Sequence, residues 1–126
     1  PEARVVALVG DGGFAHVWSE LETCVRENIP VVVLILNNNI LGYQRHAENF
    51  FFGETTSAIA FVDTDHAAIA RAVGAEGKCI KNPEDIMPAL KEAMESGKTV
   101  VLDVIVDPDS YAPVRAWDGH EERINA

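Results

Sequence analysis

The chain has 126 residues, 48% of them hydrophobic, with 10 basic against 20 acidic side chains and a formal net charge of −10. A chain of this size suits one domain whose core removes roughly two-thirds of its unfolded surface from water, and the apolar content excludes a disordered chain. The acidic balance excludes nucleic acid and anionic membrane as partners, because both need basic patches.

Two cysteines, Cys24 and Cys79, lack metal-ligand spacing and read as buried small hydrophobes. No signal-peptide pattern or membrane-length apolar run is visible, so the cytoplasm is the expected compartment.

In chain order, residues 4–9 and 31–36 are runs rich in β-branched side chains and apolar without alternation. Such runs suit central strands of a parallel sheet covered on both faces. Between them, residues 14–28 read as one helix with Val17, Leu21, Cys24 and Val25 inward and Trp18 beside them; Asn28 and Pro30 stop it. The unit is strand, Gly-rich turn, helix, strand, polar turn. A right-handed crossover of that kind sets its two turns side by side at the carboxyl edge of the sheet, where open α/β sheets bind ligands.

The first turn, Gly10-Asp11-Gly12-Gly13-Phe14, lets the backbone approach a ligand and places helix N–H groups behind it, which favours phosphate. It carries an acid, Asp11, and no Lys or Arg. A phosphate beside a bare carboxylate needs a divalent cation between them. Asp11, an Asn side-chain oxygen from the second turn, a backbone carbonyl and water make an all-oxygen shell of the kind Mg²⁺ or Ca²⁺ takes. His16 reads as a polar residue lining the turn, with a catalytic base as the alternative.

A short helix is expected over 41–50, and Phe50-Phe51-Phe52-Gly53 then reads as part of a loop. Arg45 has two readings, an anchor for a substrate carboxylate through its planar fork or a surface partner of Glu48. Asp65 is an expected N-cap for a helix over 66–73 stopped by Gly74. A short strand at 76–81 follows. Asn82-Pro83 then opens a helix whose inward stripe is Ile86, Met87, Leu90, Ala93 and Met94, closed by Gly97. Residues 98–106 are the last strand. His66 reads as a surface residue, Asp103 as a strand-end polar group, and 107–126 as a C-terminal tail that docks through Trp117.

Gly10-Asp11-Gly12, the 24 residues 13–36 and Asn37-Asn38 together resemble the thiamine diphosphate (ThDP) motif. The flanking Ser19-Glu20-Leu21-Glu22-Thr23, Glu27-Asn28-Ile29-Pro30-Val31 and Leu41-Gly42 resemble the acetolactate synthase group of ThDP-dependent enzymes. The resemblance implies an α/β fold, a three-layer α/β/α arrangement with a mostly parallel sheet, truncated on its N-terminal side. It implies that residues 1–126 are part of a C-terminal domain binding the diphosphate and metal of ThDP.

Within the motif, the resemblance puts Mg²⁺ on the side chains of Asp11 and Asn38 and on the carbonyl of Ile40, and the diphosphate on the N–H groups of Gly12 and Gly13. Gly10, Phe14, Leu41 and Gly42 complete the cofactor-binding positions. Residues 41–50 would lie over the reacting end of the cofactor, where acetohydroxyacid synthases carry Met, Val and Trp. Tyr43, Gln44 and Ala47 stand at the matching positions with Arg45 nearby, so a different acceptor preference is expected on this substrate side.

The implied activity is 2-oxoacid decarboxylation or carboligation, with no catalytic acid or base in this chain and none of that activity from the chain alone. Its implied partners are a 2-oxoacid and earlier domains of the same polypeptide or a partner chain, in a homodimer or homotetramer. Two other readings suit the same residues: a separate subunit of a split ThDP-dependent decarboxylase, and a non-catalytic metal- and phosphate-binding module.

Overall fold

A computed structural model of the chain describes residues 3–110. Four strands, Val5–Gly10 (β1), Val31–Asn37 (β2), Glu76–Ile80 (β3) and Val100–Ile105 (β4), form one parallel sheet in the order β1-β2-β4-β3. All four expected strands are present. β4, the last in chain order, lies between β2 and β3, with Ile35 in register with Asp103 and Asp103 in register with Cys79.

Side chains alternate across a strand, so β2 and β4 each feed two faces. Val32, Leu34, Val100, Leu102 and Val104 join Ile80 on one face, packed on Ala89 and Ala93 of the helix Ile86–Ser96 (α5). Val33, Ile35 and Val101 point the other way. They meet Phe14 of Asp11–Ala15 (α1), Leu21 of Glu20–Arg26 (α2) and Ala70 of His66–Ala72 (α4). The result is the expected three-layer α/β/α arrangement.

Helix ends follow the sequence signals. Asp65 caps α4, its Oδ1 accepting from the Ala68 amide at 2.7 Å. Gly97 closes α5 in the left-handed region at φ +67°. Gly77 is needed for a different reason: a Cβ there would lie 2.1 Å from the Ala67 carbonyl oxygen. The backbone of α4 thus rests directly on β3.

Several local expectations are corrected. The single helix over 14–28 is two helices separated by a turn. The Phe14 carbonyl accepts from both the Val17 and Trp18 amides at 2.9 and 3.0 Å, which tightens the chain around the buried Phe14 ring. Val17 and Trp18 are consequently exposed, and Leu21 carries the burial of α2. Met87 is also exposed, because it stands about 100° around the helix from Ile86 and Ala89 takes the inward place.

The helix Gly42–Phe52 (α3) runs through all three phenylalanines and ends at Gly53, φ +71°. Phe51 and Phe52 are exposed, and Phe50 packs edge-on against Phe51 with ring centroids 4.8 Å apart. Cys79 is exposed on β3, an edge strand, and Cys24 is half-buried; neither is a core residue.

Among the described strands β1 is also an edge and not central, and Val5, Val6 and Leu8 are 52%, 43% and 66% exposed. No described helix is long and apolar enough to cross a membrane. The expected docking of the tail through Trp117 falls outside the described residues.

Candidate cofactor site

The two polar turns sit together at the carboxyl edge of the sheet. Gly10 is in register with Leu36, so Asp11 and Asn37 are the next residues on neighbouring parallel strands. Asp11 begins α1 and is 4% exposed. Its Oδ1 accepts from the Gly12 amide at 2.9 Å, while its Oδ2 is buried with no hydrogen-bond partner.

Gly12 is the glycine that the packing requires: a Cβ there would lie 2.7 Å from Leu41 Cδ2 and 3.3 Å from the Phe61 ring. Leu41 belongs to the second turn, so the two turns are in contact. At Gly10 and Gly13 an added Cβ would meet nothing within 4 Å, which leaves their surroundings open to a ligand.

The second turn is built from its three asparagines. Asn37 is fully buried; its Nδ2 donates to Asp103 Oδ1 at 3.0 Å and to the Thr64 carbonyl at 3.3 Å. Its Oδ1 accepts from the Asn39 amide at 3.2 Å. Asn38 Oδ1 accepts from the Ile40 amide at 3.3 Å. Asn39 takes φ +55°, a left-handed conformation that Asn tolerates well.

Ile40 then forms an antiparallel bridge with Ala60. Its two hydrogen bonds come from flanking residues, Leu41 N–H to Ile59 O at 2.8 Å and Phe61 N–H to Asn39 O at 2.9 Å. The Ile40 carbonyl therefore points away from this ladder.

Two residues read as unimportant lie at the heart of this arrangement. Asp103 is 1% exposed and sits within β4, not at a strand end; besides Asn37, it accepts from the His66 amide at 3.0 Å through Oδ2. His66 is 5% exposed and not on the surface, with its ring edge-on to Phe14 at 5.4 Å. Asp11, Asn39 and His66 line one cavity of about 200 Å³ with Trp18, Phe61 and Thr64. Three buried polar atoms without partners belong to its walls: Asp11 Oδ2, Asn39 Oδ1 and His66 Nδ1.

These features bear on whether a metal fits. A buried carboxylate oxygen with no donor is costly in an apo protein and is satisfied by a cation. The two turns carry the Asp11 carboxylate, the Asn38 amide oxygen, which accepts from the Ile40 amide, the outward-facing Ile40 carbonyl and the unpartnered Asn39 Oδ1 of the cavity, donor types suited to a hard divalent ion. Among the described residues no group of three His, Cys, Asp or Glu offers a metal site. An ion here would therefore take the rest of its shell from neutral oxygens, water and an anionic ligand. The residues fit a metal diphosphate.

The substrate-side residues lie on α3. Tyr43 and Gln44 are exposed and Ala47 is half-buried. Arg45 does not pair with Glu48. Its guanidinium binds Asp109 Oδ1 at 3.1 Å and donates to the Pro108 carbonyl, whereas Glu48 accepts from the Thr56 amide and hydroxyl at 2.6 and 3.1 Å. Burial first, and then the Arg45 cation, hold the His46 imidazole below its usual range. His16 is the exposed C-cap of α1.

Comparison with known proteins agrees with this geometry. Residues 1–104 match the family model of the thiamine pyrophosphate enzyme, C-terminal TPP binding domain, TPP being another name for ThDP. The chain is 35% identical over 116 residues to the acetolactate synthase large subunit IlvG of Mycobacterium tuberculosis, covering 92% of this chain and 21% of that protein. It is 34% identical over 119 residues to the sulfoacetaldehyde acetyltransferase of Castellaniella defragrans, covering 91% of this chain and 20% of the relative. A solved structure of a thiamine diphosphate-dependent 4-hydroxybenzoylformate decarboxylase from Rhodococcus jostii RHA1 superposes with a TM-score of 0.81 at 26% identity, over 85% of this chain and 20% of that one.

The chain thus spans about a fifth of the length of the relatives it matches. With the family model covering most of the chain and the two turns assembled at the sheet edge, the chain belongs to the thiamine pyrophosphate enzyme family, as its C-terminal TPP-binding domain.

Proposed function

We propose that this chain holds the metal and diphosphate end of ThDP in a 2-oxoacid decarboxylase or carboligase of the acetolactate synthase type. The observation that carries the reading is Asp11: a buried carboxylate with one unpartnered oxygen, next to the Asn-rich turn. Asp11 and Asn38 bind Mg²⁺ through side-chain oxygens and Ile40 through its carbonyl. The first-turn amides of Gly12 and Gly13 would serve the diphosphate, that of Gly12 by exchanging its bond to Asp11 Oδ1 for one to the ligand. Phe14 anchors that turn in the core, and Leu41 against Gly12 sets the spacing between the turns.

Bound ThDP supplies the electron sink for decarboxylating a 2-oxoacid, and the protein contributes position and electrostatics. Tyr43, Gln44 and Ala47 shape the acceptor side, while Arg45, engaged by Asp109, braces α3 against residues 108–109. No acid or base of the reaction is assigned among the described residues. The remaining contacts to the cofactor come from an earlier domain of the same polypeptide or from a partner chain, in a homodimer or homotetramer. The chain alone folds without turning over a 2-oxoacid.

Calorimetric titration of the intact protein with ThDP and Mg²⁺, joined to CO₂ release across a panel of 2-oxoacids, tests this reading. Binding should require the metal, and Asp11→Ala should abolish it while the fold persists. Wild-type affinity and metal dependence in Asp11→Ala would overturn the assignment.

A further inference from the structure

We infer that Asp103 is a positioning residue for the metal site: from the central strand it fixes the shape of the Asn37–Ile40 turn. The inference rests on the Mg²⁺–diphosphate reading of that turn. A carboxyl group on a central strand is an expensive thing to bury, and nothing about the packing of a parallel sheet asks for one. The neighbours of Asp103 along β4, Leu102 and Val104, are ordinary core residues.

Both oxygens of Asp103 are engaged, each with a different loop. Oδ1 takes the Asn37 side-chain amide at 3.0 Å, and Oδ2 takes the His66 backbone amide at 3.0 Å. Asn37 relays the constraint, because its own Oδ1 holds the Asn39 amide and its Nδ2 also reaches the Thr64 carbonyl. The segment ending at His66 is tied to the same turn a second time, through the Ile40–Ala60 bridge. One carboxylate therefore clamps both sides of the small ladder that carries Ile40 and begins just after Asn38. Asp103 lies 66 residues from Asn37 in sequence, and its shortest route to the proposed ligands runs through that side chain.

Groups that orient metal ligands in this way typically matter about 10–100-fold in metal affinity when replaced. Asp103→Asn keeps the size of the side chain but puts an NH₂ group where an acceptor is required, against either the Asn37 amide or the His66 N–H. In the intact protein, the experiment measures Mg²⁺ affinity at saturating ThDP, kcat at saturating metal and cofactor, and the melting temperature of the apo form. It uses Asp103→Asn, Asn37→Ala and a core control, Val104→Ala, which lies on the opposite face.

Asp103→Asn and Asn37→Ala should each weaken Mg²⁺ binding by about 10–100-fold, with kcat largely retained once metal is saturating. Val104→Ala should lower the melting temperature and leave Mg²⁺ affinity unchanged. Equal loss of affinity in Val104→Ala would show that Asp103 only stabilises the fold, and overturns the inference. So does wild-type affinity in Asn37→Ala, which decides the question even if Asp103→Asn fails to fold. Asp11→Ala separates the two levels: unchanged binding there defeats the site itself, whereas binding lost in Asp11→Ala but kept in Asp103→Asn defeats the positioning role alone.

Discussion

The two faces of the sheet do different work. On the α5 face, Val32, Leu34, Ile80, Val100, Leu102 and Val104 close on alanines and nothing polar is needed. The opposite face, under α1 and α4, begins with the same apolar packing around Val33, Ile35 and Val101. Toward its carboxyl end it turns polar: Asn37 follows Ile35 and Asp103 follows Val101 in the alternation, and Asp11 and His66 come from the helices above. The stability supplied by one layer is therefore expected to be separable from the chemistry of the other. A protein can place costly buried polar groups at one end of a face when the reverse face supplies uninterrupted apolar burial.

Substitutions can press on that division. The largest stability effect is expected from Leu102→Ala on the α5 face, where the side chain is 1% exposed. Denaturant unfolding should show a loss of about 2–5 kcal/mol, with Mg²⁺–ThDP affinity of the folded protein unchanged. If affinity fell in step with stability, the two faces would not be separable.

Gly77→Ala presses on the polar face. The added methyl collides with the Ala67 carbonyl, so α4 must lift from β3. A loss of about 1–3 kcal/mol is expected, together with weaker metal binding, because the His66 amide moves relative to Asp103. Unfolding and calorimetry on the same sample check both arms. Asp65→Ala is the mildest test. It removes the cap on Ala68 and should cost about 1 kcal/mol, detectable as a lower melting temperature, with little change in affinity because the Asp103–His66 bond remains.

The parts of this architecture that local pattern encodes were open to reading from the chain. Three β-branched runs mark β1, β2 and β4, and glycine and asparagine clusters after the first two mark the turns at their carboxyl ends. Asp65 announces the start of a helix by its capping side chain, and Gly74 and Gly97 announce helix ends by their left-handed backbones. The break after α1 was hidden, because Val17, Leu21, Cys24 and Val25 have helical spacing although Phe14, outside that set, decides where the chain turns.

Asp103 and His66 were misread for a related reason. The contacts that explain their burial join Asp103 to Asn37, 66 residues away, and to His66, 37 residues away, beyond any window of periodicity. One clue was present: an acid in the middle of a run that is apolar on both faces must find donors if the run is a central strand. Asn37, the first residue after such a run on the neighbouring strand, was the available donor.

The position of β4 has a consequence for how the domain is made. It is the last of the four strands to leave the ribosome, yet it occupies the slot between β2 and β3. Until Val100–Ile105 is available, β2 has an unpaired edge, β3 has no neighbour, and Asn37 lacks the carboxylate that orders its turn. Folding must therefore wait for contacts of long sequence separation, which slows it and leaves strand edges open to mispairing. Chains cut short before residue 100 should accumulate as aggregates or protease-sensitive species, and the cofactor turn should become ordered at the same step that completes the sheet.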